Sequence, residues 1–176
     1  MRIIGGKYKG RIIDISRNFK ARPTTDFARE SLFNILMNII DFDEVKVLDL
    51  FGGTGSISFE FASRGSTSVD IVDLDYHSLK AINEMAGKLG ITGMRTIRSD
   101  VFRYIKSCHN KYDIIFADPP YALKDLDTLP DLVFNSSILE TDGRFILEHP
   151  KGFVFSGNSH FTEHRKYGNV NFSFFR

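Results

Sequence analysis

The stretch that decides the fold is VKVLDLFGGTG at residues 45–55. Residues 45–50 are apolar almost throughout, which is typical of a strand that is buried on both faces of a sheet. Glycines follow this strand and precede a segment with helical spacing. A glycine-rich turn between a strand and a helix indicates a ligand site, because residues without a Cβ let the backbone approach a bound molecule. The helix that follows also offers free N–H groups.

Strands and helices continue to alternate downstream of this turn. The predicted strands lie at 45–50, 68–72, 94–98, 112–117 and 143–148, and the predicted helices at 57–63, 77–89, 101–107 and 126–134. This alternation implies a parallel sheet with helices on both faces. Residues 160–167 and 170–175 are predicted to close the sheet as an antiparallel hairpin that turns at Gly168-Asn169. We therefore expect an α/β, Rossmann-like fold with a mostly parallel seven-stranded sheet.

The amino-terminal part has a different pattern. Residues 1–20 alternate apolar and polar side chains around Gly5-Gly6 and Gly10, which predicts a short β-hairpin. A proline and capping candidates at Pro23, Thr24 and Thr25 then indicate the start of a helix. Apolar residues follow at helical spacing, namely Phe27, Leu32, Phe33, Leu36, Ile39 and Ile40. We expect two units, a basic arm at 1–22 and a catalytic domain at 23–176.

Length and composition exclude several classes of protein. A chain of 176 residues is expected to form one core. The single cysteine, Cys108, excludes an intramolecular disulfide and fits a reducing compartment. No apolar run approaches the roughly 18 residues that span a membrane, and the amino terminus lacks a secretory core. Five histidines show no metal-ligand spacing. We expect a soluble, cytoplasmic, monomeric protein without a membrane partner or a metal.

Positive charge is concentrated at one end of the chain. Residues 1–22 hold seven Lys or Arg and one acid, although the net charge of the whole chain is only +1. One interpretation is that this end binds a polyanion. The other is a solvated edge hairpin whose lysines prevent aggregation. The candidate substrate contacts under the first interpretation are Lys7, Lys9, Arg11, Arg22 and Arg29.

The glycine turn predicts a cofactor that contains a nucleoside. We expect four residues in and beside this turn to line the cofactor, namely Asp49, Phe51, Gly53 and Gly55. The dinucleotide fingerprint G-x-G-x-x-G is incomplete, because its third glycine position holds Ser58. Asp73 lies 20 residues after Gly53, where an acid that binds ribose hydroxyls is expected.

Further acids follow neighbouring strands of the predicted sheet. Asp75 is a weaker candidate for the ribose, and Asp100 can accept a hydrogen bond from an adenine amino group while the Val101 N–H meets a ring nitrogen. Acids at adjacent strand ends suit a nucleoside without a pyrophosphate, such as S-adenosyl-L-methionine with its sulfonium cation. The alternative is that these acids are ordinary helix N-caps.

The tetrapeptide Asp118-Pro119-Pro120-Tyr121 follows the predicted strand at 112–117. Two prolines make a rigid, extended turn, because each fixes φ and lacks an N–H. Such a turn can aim the Asp118 carboxylate and the Pro119 carbonyl at both hydrogens of an exocyclic amino group. Tyr121 offers a flat face on which an unstacked base can lie. The tetrapeptide therefore predicts transfer of a methyl group to a base nitrogen. The alternative is a proline-rich strand exit with Tyr121 in the core.

Four motifs together carry a resemblance to a known family. They are RIIGGKYKGR at 2–11, RPTTDFARESLFNIL at 22–36, VLDLFGGTG at 47–55 and DPPY at 118–121. This pattern closely resembles the bacterial 16S ribosomal RNA guanine-N2 methyltransferase family (the RsmD type). The resemblance covers nearly the whole chain. Phe27-Ala28 stands where the family usually has a basic residue and a valine, and Asp73 stands where Glu is more usual.

The resemblance implies an S-adenosylmethionine-dependent class I methyltransferase that acts on one guanosine of the small-subunit RNA, free or in an assembling particle. It implies that Gly53, Gly55, Asp73 and Asp100 hold the cofactor and that residues 118–121 hold the guanine. Thr24, Thr25 and Arg29 are implied to close over the site. Two other functions stay open: a DNA adenine-N6 or cytosine-N4 methyltransferase, and a nucleic-acid-binding module that has lost catalysis.

Overall fold

The computed structural model describes residues 1–13 and 25–176. Its strands form one seven-stranded sheet with the order β3-β2-β1-β4-β5-β7-β6. The strands are β1 (Lys46–Leu50), β2 (Ser68–Asp73), β3 (Met94–Arg98), β4 (Tyr112–Ala117), β5 (Leu139–His149), β6 (Phe161–Tyr167) and β7 (Val170–Phe175). Strands β1 to β5 are parallel to one another, and β7 is antiparallel to β5 and β6. The predicted fold class is confirmed.

Helices cover both faces of the sheet. They are α1 (Asp26–Leu36), α2 (Ser56–Arg64), α3 (Tyr76–Leu89), α4 (Val101–Ser107) and α5 (Leu129–Asn135), with a short 3-10 helix (Leu126–Thr128) before α5. Buried side chains of α1, α2 and α3 share a core with Val47, Ile71 and Phe116. Buried side chains of α4 and α5 share a second core with Leu48 and Ile115. Successive strand residues alternate between these cores, as the period of two requires.

Some predicted element bounds differ from the structure. Strand β5 begins at Leu139 rather than at residue 143, and the helix predicted at 126–134 is a 3-10 turn followed by α5. Helix α1 ends at Leu36, so Ile39 lies beyond it and is 41% exposed. Phe27 is 65% exposed, although it belongs to the same apolar set as the buried Leu32 and Phe33. No helix in the described parts of the chain is long and apolar enough to cross a membrane.

Residues 1–13 form a short antiparallel hairpin that packs on α2. Arg2 and Ile12 form an antiparallel bridge, and the Ile3 N–H donates to the Arg11 carbonyl at 3.0 Å. Ile3 and Ile13 are each only 1% exposed and belong to the core that α2 shares. The hairpin prediction is confirmed over these residues. The boundary expected between residues 22 and 23 lies outside the described residues, so the division into two units stays a prediction.

Candidate active site

The candidate site lies where the strand order reverses, between β1 and β4. Leu50 and Ala117 are the last paired residues of these neighbouring parallel strands. The Asp118 N–H donates to the Leu50 carbonyl at 3.4 Å. The glycine turn and the Asp118–Tyr121 tetrapeptide therefore leave the same edge of the sheet side by side. This carboxyl edge is where doubly wound sheets bind their ligands.

The glycine turn has an unusual backbone. Phe51 has a φ of 62° and is the only non-glycine residue with positive φ in the described parts of the chain. Gly53 and Gly55 also have positive φ, at 52° and 71°, and Gly55 is the N-cap of α2. The Gly55 N–H closes the turn on the Gly52 carbonyl at 2.7 Å. Left-handed backbone at a non-glycine residue is strained, and such strain is concentrated at functional sites.

Gly52 is a requirement of the turn that the sequence did not reveal. A Cβ built at Gly52 would lie 2.3 Å from the Cγ2 atom of Ile71 on β2. The turn can therefore pack against β2 only if residue 52 has no side chain. The sequence identified Gly53 and Gly55 from the fingerprint spacing, but the packing partner of Gly52 is 19 residues away and leaves no local signal.

Asp73 holds the glycine turn. Its Oδ2 accepts a hydrogen bond from the Gly53 N–H at 2.8 Å, and its Oδ1 accepts one from the Asp75 N–H at 2.8 Å. The structure thus brings together the two residues that the 20-residue spacing had linked. Leu74 and Tyr76, which follow Asp73, are 62% and 53% exposed at this edge. No local pattern distinguishes these two residues in the sequence. Contact of Asp73 with a ribose stays a prediction.

Asp49 lies beneath the turn and is almost completely buried. Ser58 on α2 donates its hydroxyl hydrogen to the Asp49 carboxyl group. Burial raises the pKa of Asp49 to about 7, and the negative charge of Asp73 adds to this effect against the Ser58 hydrogen bonds. The third fingerprint position therefore holds a serine that serves as the partner of Asp49. The carboxyl group is poised to lose its proton when a cation approaches.

Asp75 and Asp100 serve as helix N-caps, as the alternative interpretation held. The Asp75 carboxylate accepts from the Ser78 N–H at 3.0 Å at the start of α3. Asp100 accepts from the Arg103 N–H at 2.9 Å at the start of α4. Val101 is 3% exposed and begins α4. Both caps lie at the carboxyl edge. The adenine contacts expected of Asp100 and Val101 stay predictions.

The tetrapeptide combines rigidity with an exposed ring. Asp118 is half-buried and Pro119 is buried, whereas Tyr121 is 47% exposed and so does not lie in the core. The Leu123 N–H donates to the Pro120 carbonyl at 2.8 Å and closes the turn. A further acid, Glu148, is only 3% exposed and follows Leu147, which pairs with Ala117. The register places Glu148 beside Asp118 on the neighbouring strand. The sequence identified Glu148 only as a strand end.

The predicted basic contacts lie apart from this edge. Lys7, Lys9 and Arg11 are exposed on the amino-terminal hairpin. The Lys7 N–H donates to the Ser63 carbonyl at 2.7 Å in the last turn of α2. Ser63 is eight residues from Gly55, which corresponds to roughly 12 Å along the helix axis. The hairpin tip therefore lies about two helical turns from the glycine turn, so only a large substrate could contact both.

Arg29 is buried between α1 and α2, with 1% exposure. Its Nη2 donates to the Arg2 carbonyl and to Asp26 Oδ1, each at 2.8 Å, and its Nε lies 3.3 Å from Glu60 Oε1. Arg64 pairs with the other oxygen of Glu60. These contacts favour a structural role over the expected substrate contact, which stays a prediction.

The remaining predicted site residues lie at or before the start of α1. The Thr25 hydroxyl caps α1 by accepting from the Ala28 N–H at 3.2 Å. Arg22 and Thr24 fall outside the described residues, so their expected roles stay predictions. Across residues 1–13 and 25–176, no group of three or more His, Cys, Asp or Glu is arranged to hold a metal ion.

Comparisons with known proteins agree with this geometry. The family model described as conserved hypothetical protein 95 matches residues 1–176. Ribosomal RNA small subunit methyltransferase D of Buchnera aphidicola subsp. Baizongia pistaciae is 31% identical over 151 residues, which are 84% of this chain and 75% of the relative.

Solved structures share the fold. A putative methyltransferase of Escherichia coli, yhhF, superposes with a TM-score of 0.87 at 23% identity, over 99% of this chain and 96% of that one. The Thermus thermophilus 16S rRNA N2 G1207 methyltransferase RsmC, solved with AdoMet and guanosine, has a TM-score of 0.70 at 18% identity. That match covers 90% of this chain and 44% of the RsmC chain. At these identities the two structures establish the fold alone.

Proposed function

Because the chain belongs to the family of conserved hypothetical protein 95 and of ribosomal RNA small subunit methyltransferase D, we propose that it methylates small-subunit (16S) ribosomal RNA. The proposed reaction transfers a methyl group from S-adenosyl-L-methionine to the exocyclic N2 of one guanosine, in the cytoplasm. The observation that carries the proposal is the register of β1 and β4, which sets the glycine turn beside the Asp118–Tyr121 tetrapeptide.

The residues at the glycine turn fit the cofactor. The turn can approach a ligand closely at Gly53, because this residue lacks a Cβ and has a positive φ. Gly55 serves the turn in another way, since a Cβ there would press on Ile82 and Phe59. Asp73 and Asp100 are the groups that would hold the ribose and the adenine. When bound, S-adenosylmethionine supplies a methyl group made electrophilic by a sulfonium cation. The nearby carboxyl groups of Asp49 and Asp73 favour a cationic ligand.

The tetrapeptide would orient the nucleophile. The amino nitrogen of guanine is a weak nucleophile, because its lone pair is delocalised into the ring. The Asp118 carboxylate and the Pro119 carbonyl would accept its two hydrogens, leaving the lone pair free to face the methyl carbon. Once the new C–N bond forms, Asp118 would accept the proton that the nitrogen releases. Stacking on Tyr121 would contribute roughly 1–3 kcal/mol to holding the base.

Replacing Asp118 by alanine tests the clamp. We expect Asp118→Ala to lower the rate of methyl transfer by about 100- to 10,000-fold, because it removes both an acceptor and a general base. Cofactor affinity, measured by calorimetry, is expected to stay within about twofold of the wild type. The control is Asp127→Ala, which removes an exposed carboxylate in the 3-10 helix and should leave both quantities unchanged. A large loss of cofactor affinity in Asp118→Ala would mean that the clamp is elsewhere.

Identification of the product nucleoside tests the substrate. Radiolabelled S-adenosylmethionine is incubated with small ribosomal subunits, free 16S RNA or duplex DNA, and the nucleic acid is then digested. Label in N2-methylguanosine from ribosomal RNA supports the proposal. Label only in N6-methyladenine or N4-methylcytosine of DNA would support a DNA methyltransferase. Cofactor binding without any transfer would indicate a binding module that has lost catalysis.

A further inference from the structure

An aromatic pair with one exposed ring lies at the same edge of the sheet as the proposed substrate site. Phe27, in the first turn of α1, is 65% exposed and meets the Tyr167 ring edge-on at a centroid distance of 5.9 Å. Tyr167 also contacts Phe172 of the core, with ring centroids 6.1 Å apart. The pair therefore consists of one ring anchored by the core and one ring that faces solvent. A ring exposed to this extent leaves apolar area that a stacked partner could remove from water.

The topology places this pair at the ligand edge of the sheet. Tyr167 pairs with Val170 at the turn between β6 and β7, and Asn171 pairs with His149 at the carboxyl end of β5. Because β5 lies next to β4, the aromatic pair and Asp118 share one edge. Three strand spacings separate β6 from β4, or about 14 Å. A nucleotide near the methylated guanosine in a single strand can span this distance.

One cationic side chain shares the face of the pair. Arg165 lies two residues before Tyr167 on the same face of β6 and is 54% exposed, and it also pairs with Glu163 at 2.5 Å. Lys166 is exposed between them on the opposite face. Aromatic rings interleaved with cations are typical of surfaces that bind single-stranded nucleic acid, where rings stack on bases and cations meet phosphates.

We propose that Phe27 and Tyr167 form a stacking surface for an unpaired base of the substrate RNA, a short distance from the guanosine that is methylated. This inference rests on the proposed function, since it takes the partner to be RNA. Phe27 supplies the face on which the base lies. Tyr167 holds the Phe27 ring in position through its own contact with Phe172.

The test uses an RNA fragment of the substrate in which one base at a time near the target is replaced by the fluorescent base 2-aminopurine. Stacking on an aromatic ring quenches this fluorescence. We expect the wild-type protein to quench it at one or two positions, and Phe27→Ala to lose the quenching and bind the RNA about 5- to 100-fold more weakly. The matched control is Met37→Ala, which removes an apolar side chain that is 62% exposed at the other end of the same helix. It should change neither quantity.

Further variants separate stacking from general apolar contact and from charge. Phe27→Trp should keep both quenching and affinity, whereas Phe27→Leu should lose both. Phe27→Lys should lose the quenching and steepen the salt dependence of binding. Equal binding and quenching by Phe27→Leu and the wild type, or no quenching at any position by the wild type, would overturn the inference.

These readouts do not depend on methyl transfer. Methylation of a different nucleoside by a wild-type protein that still quenches 2-aminopurine would contradict the proposed function and leave the stacking surface supported. Normal N2-methylguanosine formation by a wild-type protein that does not quench would support the proposed function and contradict the stacking surface.

Discussion

At the scale of single residues, the carboxyl group of Asp49 couples stability to pH. Burial raises its pKa from 3.8 to about 7, so the folded chain holds a proton that the unfolded chain releases near pH 4. Stability from this group is therefore greatest at low pH and decreases as pH rises from about 4 to about 7, above which the loss is complete.

Asp49→Asn tests this coupling, because the neutral amide mimics the protonated acid and can still accept from Ser58. The free energy of unfolding of the variant relative to the wild type is expected to rise by about 2 kcal/mol or more between pH 5 and pH 8. Urea unfolding at both pH values measures it. A difference between the two proteins that does not change with pH would contradict the raised pKa.

The candidate site residues can be predicted from the sequence more readily than the residues that pack around them. Asp73, Gly53 and Asp118 follow strands at fixed spacings, and strand ends meet at one edge, so short-range pattern was enough to group them. The requirement for glycine at position 52 and the position of Glu148 both depend on neighbours from elsewhere in the chain, which the topology brings close. The exposure of Phe27 does not follow from the sequence either, because helical spacing shows which residues share a face but not where the buried stripe ends.

At the scale of elements, a buried ion group joins α1, α2 and the amino-terminal hairpin. Glu60 is 1% exposed, lies between Arg29 and Arg64, and also accepts from the Ile4 N–H at 2.6 Å. Glu60→Gln keeps the shape but leaves Arg64 without its carboxylate partner and leaves Arg29 with Asp26 alone. Removing one partner of a buried ion pair costs about 3–5 kcal/mol. We expect Glu60→Gln to lower the free energy of unfolding by about 3 kcal/mol, measured by urea denaturation.

A matched exposed pair provides the control. Glu84 lies 3.8 Å from Lys80 on α3, and both side chains are 58% exposed. Exposed helical pairs of this kind contribute about 0.3–0.5 kcal/mol, so Glu84→Gln should have almost no effect. Equal losses in the two variants would show that the buried group contributes nothing beyond a surface pair. The sequence predicted the helices that carry these residues, but the pairing between them depends on how the helices pack.

At the scale of the whole molecule, the fold separates an acidic surface from a cationic one. The carboxyl edge of the sheet collects the acids and the glycine turn, whereas the exposed cations Lys7, Lys9 and Arg11 lie on a hairpin attached to the far part of α2. Under the proposed function, a polyanionic substrate would be held by hairpin cations that lie away from the acids of the glycine turn. The alternating order of strands and helices was enough to predict the edge. The hairpin's place on α2 depends on hydrogen bonds between residues more than 50 positions apart.

Neutralising the hairpin tests this separation. The triple change of Lys7, Lys9 and Arg11 to alanine should weaken RNA binding and reduce the slope of log affinity against log salt by up to about 2, because each lost phosphate contact removes roughly 0.7. Cofactor affinity should not change, since the hairpin backbone still packs on Ser63. The control replaces three exposed lysines of α3 and α4, namely Lys80, Lys88 and Lys106. If the salt slope decreases equally in both triple variants, the hairpin cations contribute only general charge. If it decreases in neither, the lysines act as the solvated edge that the sequence also allowed.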